Sequence, residues 1–313
     1  MQSTARRRSA LSLAALAALA AAAPAGCGGG HVGPAPPANR VLWTRITPEG
    51  TPEPDDPDWL GDSIAFQIQV AGVASIATAH RSGSGSVFFP SMAPTGDREP
   101  RWVRAGLLLY SSDRLGSADL WYLDVATAAA RRLTGFPGDE VEAAPRPGSS
   151  GLAYVERTGP AGARLVLLPD TAAAPLSRIY LTPVSLPASE PDWDPTGTQL
   201  CFTAPDGGGV PHIWRLSLAD TLPIQLTTGA AADRSPRWSP DGTRILFTSE
   251  RNGLPGVWTV SPAGEGTDLT AWAYDRRSAA LLHPAWSPDG QSIIVSSDRS
   301  GARALWVLSD LGF

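Results

Sequence analysis

The chain has no lysine: all 25 of its basic side chains are arginine, and 30 carboxylates outnumber them, giving a net charge of −5. That balance excludes the broad cationic face on which nucleic-acid binding rests. Only two cysteines are present, Cys27 and Cys201, which excludes a multi-disulfide framework and a cysteine-pair zinc site. The four histidines, His31, His80, His212 and His283, are isolated from one another and show no metal-ligand spacing. Neither a Gly-x-Ser-x-Gly nucleophile elbow nor a phosphate-cradling glycine loop occurs. The apolar run Leu11 to Ala23, broken only by Ser12, is too short to span a bilayer comfortably. In their place stand 30 Pro, 32 Gly and 11 Trp, a composition of many short strands with defined turns rather than of helices.

Residues 1–26 read as a secretory signal of lipoprotein type, with Arg6-Arg7-Arg8 as the basic end and small residues leading into Cys27. Pro24-Ala25-Gly26-Cys27 resembles a bacterial lipobox, with Pro24 where Leu is usual. Cleavage after Ala25, releasing a soluble secreted protein, is the competing reading. Cys27, followed by three glycines and the Pro-rich 33–37 stretch, reads as a lipidated anchor on a flexible linker, 27–40. Cys201 lies in an apolar strand, where a free Cys behaves as a small hydrophobe; a disulfide to Cys27 is the weaker alternative. The expectation is a periplasmic or outer-membrane lipoprotein that meets the membrane through its N-terminal lipid only.

The rest of the chain repeats. Trp238-Ser239-Pro240-Asp241-Gly242 recurs at Trp286-Ser287-Pro288-Asp289-Gly290, and a variant stands at Trp193-Asp194-Pro195-Thr196-Gly197. Each copy reads as strand, tight turn and second strand, with Pro presetting φ and Gly taking the positive φ that ends the turn. The Trp is expected to anchor neighbouring sheets. Trp59 and Trp102 continue the register, and Arg146 is assigned to the remaining position because Tyr154 follows it by eight residues, as Tyr110 follows Trp102. Six units of roughly 45 residues suit an all-β, six-bladed propeller of four-stranded antiparallel blades over 41–313. Third-strand tryptophans (Trp121, Trp214, Trp258 and Trp306) and closing Leu-Thr pairs at 133–134, 181–182, 226–227 and 269–270 support the division. The last unit lacks its fourth strand, while the first segment, Val41 to Thr47, ends in Ile46-Thr47; strand 41–47 is therefore expected to close the last blade.

The run Trp-Ser-Pro-Asp-Gly, apolar strand, Asp/Glu-Arg-x-x-Gly, Trp-bearing strand and Leu-Thr resembles the TolB-like propeller repeat, a WD40-like unit. Its Arg-bearing loops are Asp113-Arg114-Leu115-Gly116, Glu156-Arg157-Thr158-Gly159, Glu250-Arg251-Asn252-Gly253 and Asp298-Arg299-Ser300-Gly301. These are expected to be turns that salt-bridge the adjacent blade. The resemblance implies a propeller without the α/β domain that precedes it in TolB and without the hydrolase domain of propeller peptidases.

Three residues before each register position stand Asp56, Glu99, Ala143 with Glu142 beside it, Glu190, Ser235 and His283. On a propeller these would ring one mouth of the central channel. Such a ring suits a basic peptide from a partner, or a divalent cation held by oxygen ligands; a solvated rim is the plainer reading. No resident cofactor is implied. The sequence thus points to a monomeric, non-catalytic interaction scaffold for envelope proteins, with a ligand- or glycan-binding, lyase-type propeller as the alternative.

Overall fold

The computed structural model describes residues 41–85, 87–89, 96–159, 162–263, 270–273 and 279–311. The expected signal segment, 1–26, and the expected linker with Cys27, 27–40, lie outside the described residues. Six four-stranded antiparallel sheets follow one another along the chain. Their innermost strands are Asp55–Leu60, Asp97–Arg104, Asp139–Pro145, Ser189–Trp193, Asp233–Trp238 and Leu281–Trp286, for blades 1 to 6 in order. Each innermost strand lies against those of the two neighbouring blades, and that of blade 6 returns to that of blade 1, closing the ring.

Blade 6 is completed by the other end of the chain. Leu42–Arg45 pairs antiparallel with Ala304–Ser309, in the register Leu42 to Ser309 through Arg45 to Trp306. The residues that follow explain why this segment is the missing fourth strand. The Thr47 hydroxyl accepts a hydrogen bond from Leu305 N–H at 3.0 Å, just as Thr134, Thr182 and Thr227 accept from Leu120, Leu165 and Ile213 in blades 2 to 4. Ile46 and Thr47 are both buried, so the closing pair satisfies a strand N–H and fills core at once. In blade 5 the Leu-Thr pair is not the closing one. Thr270 pairs with Thr259, one residue past Trp258, whereas the closing threonines of blades 2, 4 and 6 bond the residue before the matching Trp; in blade 5 that residue, Val257, pairs with Ala273.

The register tryptophans sit between blades as expected. Trp238 packs with Cys201 and Ile213 of blade 4 and with Ile245 and Phe247 of its own blade. The indoles of Trp193 and Trp286 donate to the carbonyls of Ala144 and Arg237 in the preceding blade, at 3.1 and 3.2 Å. Cys201 is fully buried and free, and burial pushes its thiol well up. The turn itself is held by its own polar groups: Ser239 Oγ donates to Asp241, which accepts from Thr243 N–H, while Gly242 N–H reaches Ser239 O at 2.9 Å. Blade 6 repeats this with Ser287, Asp289 and Gly290.

Two expectations are corrected. The sixth register residue is Pro145, not Arg146: Pro145 pairs with Leu152 as Trp193 pairs with Leu200 and Trp238 with Ile245. Arg146 is the next residue along, reaching over the Trp193 ring at 5.3 Å and donating to Gly197 O at 2.7 Å. The loops of Arg114, Arg157 and Arg251, in turn, salt-bridge within their own blade. Arg114 donates to both oxygens of Asp97 and stacks on Trp121; Arg251 does the same with Asp233 and Trp258. Each Arg thereby ties the loop between the second and third strands to the start of the innermost strand, combining a forked hydrogen bond with a cation–π contact.

Candidate functional site at the channel mouth

Every innermost strand carries the same irregularity. Pairing slips by one residue between Asp55 and Asp58, and likewise between 98 and 101, 141 and 144, 189 and 192, 234 and 237, and 282 and 285. At each bulge one non-glycine residue takes a left-handed backbone: Asp56, Glu99, Glu142, Glu190, Ser235 and His283, with φ from 45° to 57°. Six left-handed bulges at one level are strained, at about 1 kcal/mol or more each, and such bulges re-aim side chains. The ring position in blade 3 is therefore Glu142 itself, and the neighbouring Ala143 lies buried in the seam with blade 2.

All six of these bulge residues line one cavity of about 300 Å³, together with Asp55, Gln67, Arg98, Arg101, Pro191 and Arg237. The glutamates form a chain from blade to blade. Glu99 accepts from Glu142 N–H at 2.7 Å, Glu142 from Glu190 N–H at 2.6 Å, and Glu190 from Ser235 N–H and Oγ at 2.9 and 2.8 Å. Ser111 and Thr203 hydroxyls donate to Glu99 and Glu190, both at 2.8 Å, and Arg157 donates to Glu142. Each acid thus satisfies a bulge N–H that the strained strand would otherwise leave without a partner, a charge-assisted bond of about 1.5–3 kcal/mol. Burial, with Glu99 and Glu190 close by, pushes the Glu142 carboxyl up to about 7.

The opposite side of the mouth is neutralised. His283 Nδ1 meets Asp55 at 2.6 Å and Arg303 donates to the same carboxylate at 3.0 Å, joining blade 6 to blade 1. The Asp55 contact raises the His283 pKa against the effect of burial, and His283 and Arg303 hold Asp55 below the usual carboxylate range. Acidic character therefore concentrates on blades 2 to 4.

A second layer went unread in the sequence. The residues just before the register positions are Asp58, Arg101, Ala144, Asp192, Arg237 and Ala285, so the order Asp-Arg-Ala occurs twice around the ring. Arg101 and Arg237, from opposite blades, both reach Asp56, at 2.9 and 3.4 Å. Asp58 and Asp192 accept the N–H groups of Trp102 and Trp238, each at 2.7 Å, and burial raises Asp192 to about 6. The two guanidiniums meet at one carboxylate and floor the mouth. The same Trp register, read one residue upstream instead of three, contains this layer.

Among the described residues no three His, Cys, Asp or Glu side chains are grouped to hold a metal ion. The ring acids spend their oxygens on N–H, hydroxyl and guanidinium donors.

No curated protein matches the sequence. Residues 177–305, from the outer strand of blade 3 into blade 6, match the TolB beta propeller domain. The fold is similar to that of TolB from Acinetobacter baumannii, with TM-score 0.63 and 17% identity over 80% of this chain and 65% of that one. A putative TolB from Agrobacterium tumefaciens gives TM-score 0.60 and 22% identity over 68% and 73% of the two chains. An oligogalacturonate lyase in complex with manganese gives 0.56 and 16% over 85% and 92%. At these identities the likeness shows the fold alone. The blade-by-blade repeat and the closure by residues 42–47 make this chain a six-bladed β-propeller, within which residues 177–305 are similar to the TolB beta propeller domain.

Proposed function

We propose that the protein is a non-catalytic interaction module of the cell envelope, which receives a cationic segment of a partner protein at the acidic side of its channel mouth. One observation carries this reading: Glu99, Glu142 and Glu190 come from three consecutive blades and are locked to one another's backbone. Acids held this close repel one another, and an incoming cation relieves the repulsion without rearranging the ring. The floor made by Arg101 and Arg237 suits a side chain that enters and stops, rather than a segment threaded through. Cys27 is proposed as the lipid anchor that holds the propeller at a membrane surface. Radiolabelled palmitate should enter the wild-type chain and not Cys27→Ala; equal labelling of both would remove the anchor.

The test of the mouth is affinity capture from envelope extracts with wild type and with Glu99→Gln/Glu190→Gln. Glutamine keeps one acceptor oxygen, enough for the N–H and hydroxyl contacts on Oε2 of Glu99 and Glu190, and replaces the other, with its charge, by an amide to which the Ser235 hydroxyl can turn as acceptor. Loss of the captured protein with the double variant, and its release by moderate salt but not by chelator, is the expected result. Undiminished capture by the double variant would overturn the reading. Capture that depends on a divalent metal would favour the ligand-binding, lyase-type alternative.

A further inference from the structure

We propose a second binding site, in the seam between blades 2 and 3, for a small aromatic carboxylate. The argument begins with Pro145. At every other blade the register residue is a Trp that packs into the seam with the preceding blade: Trp59, Trp102, Trp193, Trp238 and Trp286. Blade 3 has Pro145 there, and the apolar cluster of that seam contains no tryptophan. A cavity of about 490 Å³ opens beside it, with Val103, Leu109, Tyr122 and Leu152 in its wall. That volume falls in the range of small-molecule sites, and apolar walls with a few polar groups at the margin are their usual make-up.

The margin gives the ligand its charge. Both Arg131 and Arg146 line the cavity; the Arg131 guanidinium lies over the Tyr122 ring at 4.9 Å, while that of Arg146 is turned to blade 4, over Trp193 at 5.3 Å. Among the described residues neither guanidinium has a carboxylate at ion-pair distance. Asp170, at the same margin, is turned to Ser150 Oγ at 2.6 Å and to Ala172 N–H at 2.8 Å. A flat apolar body in the place an indole takes in the other seams, with an anionic group at the Arg131 guanidinium, satisfies both features.

The repeat also supplies the variant that tests this. Pro145→Trp restores the residue used elsewhere, and its N–H would face Arg101 as that of Trp286 faces Arg237, so the substitution fits the local pattern. The probe is 2-naphthoate, followed by its own fluorescence, with uncharged 2-naphthamide as control. Wild type should bind one naphthoate saturably and the amide at least tenfold more weakly. Pro145→Trp should abolish binding and raise the melting temperature, and Arg131→Glu, an exposed position, should weaken binding at least tenfold. If Pro145→Trp fails to fold, Arg131→Glu decides alone. Absent saturable binding, equal affinity for acid and amide, or variants that bind like wild type would each overturn the site.

Discussion

Closing the ring with the N-terminal segment makes a stability prediction that can be sized from two side chains. Ile46 is 1% exposed and packs with Ile64, Phe66, Ile294 and Leu305, so it belongs to blades 1 and 6 together. Truncation to Ala removes buried methylenes and leaves a cavity, a loss of about 2–5 kcal/mol. Thr47→Val keeps the shape but withdraws the acceptor from Leu305 N–H, a donor in a fully buried residue; an unmet buried N–H costs about 1–3 kcal/mol. Against a total stability of about 5–15 kcal/mol, either change is large. For a domain of this size 1 kcal/mol moves the melting temperature by about 2–4 °C. Ile46→Ala should therefore melt ~4–20 °C below wild type and Thr47→Val ~2–12 °C below. Leu42→Ala, at an exposed position of the same strand, should stay within about 1 °C. Calorimetry or circular dichroism against temperature reads all three. If Ile46→Ala and Thr47→Val both melt with wild type, the segment does not carry the closure.

Other outcomes follow from the buried charges. Burial, with Asp119 adding to it, pushes Glu140 up to about 7, the same value that Glu142 reaches. Both lie above the ordinary 4.5, so between about pH 4.5 and 7 the folded chain keeps protons that the unfolded chain has released; stability must fall as pH rises through that window. Glu140→Gln and Glu142→Gln should each flatten that fall and gain on the order of 1 kcal/mol at pH 8 in urea unfolding. A pH profile unchanged in both variants would contradict the shifts. Arg251→Ala leaves buried Asp233 without its forked partner and should lose about 3 kcal/mol. Arg251→Lys should recover less than half of that, because an ammonium at Asp233 cannot also hold the Ser249 hydroxyl, as Nε does, or stack flat on Trp258; full recovery by Lys would remove the geometric argument.

The blade pattern was legible because one side chain, the register Trp, does the same job at five seams. The mouth was legible because every innermost strand bulges at the same distance from that Trp. Where the reading slipped, the ruler itself had changed. Blade 2 carries an extra irregularity between Trp102 and Arg104, so only eight residues separate Trp102 from Tyr110, where Trp193 to Phe202 and Trp238 to Phe247 span nine. Counting eight back from Tyr154 therefore landed on Arg146 instead of Pro145. In blade 5 Thr270 lies opposite Thr259, past Trp258, while the closing threonines lie on the other side of the matching Trp, and only backbone pairing separates the two. The layer of Asp58, Arg101, Asp192 and Arg237 escaped because charged residues beside a Trp read equally well as solvated strand ends. The meeting of Arg101 and Arg237 at Asp56 is a property of the closed ring.

The account's central claim is that a partner docks at the acidic mouth, and site-specific photo-cross-linking in the intact envelope tests it most directly. A photoreactive residue replaces either Gln67, which lines the mouth, or Gln291, in the turn beside Gly290 at the far end of the innermost strands. The account predicts one discrete adduct from the Gln67 position, lost with Glu99→Gln/Glu190→Gln, and none from Gln291. An adduct from Gln291 alone, or one from Gln67 that persists without the two charges, would contradict it.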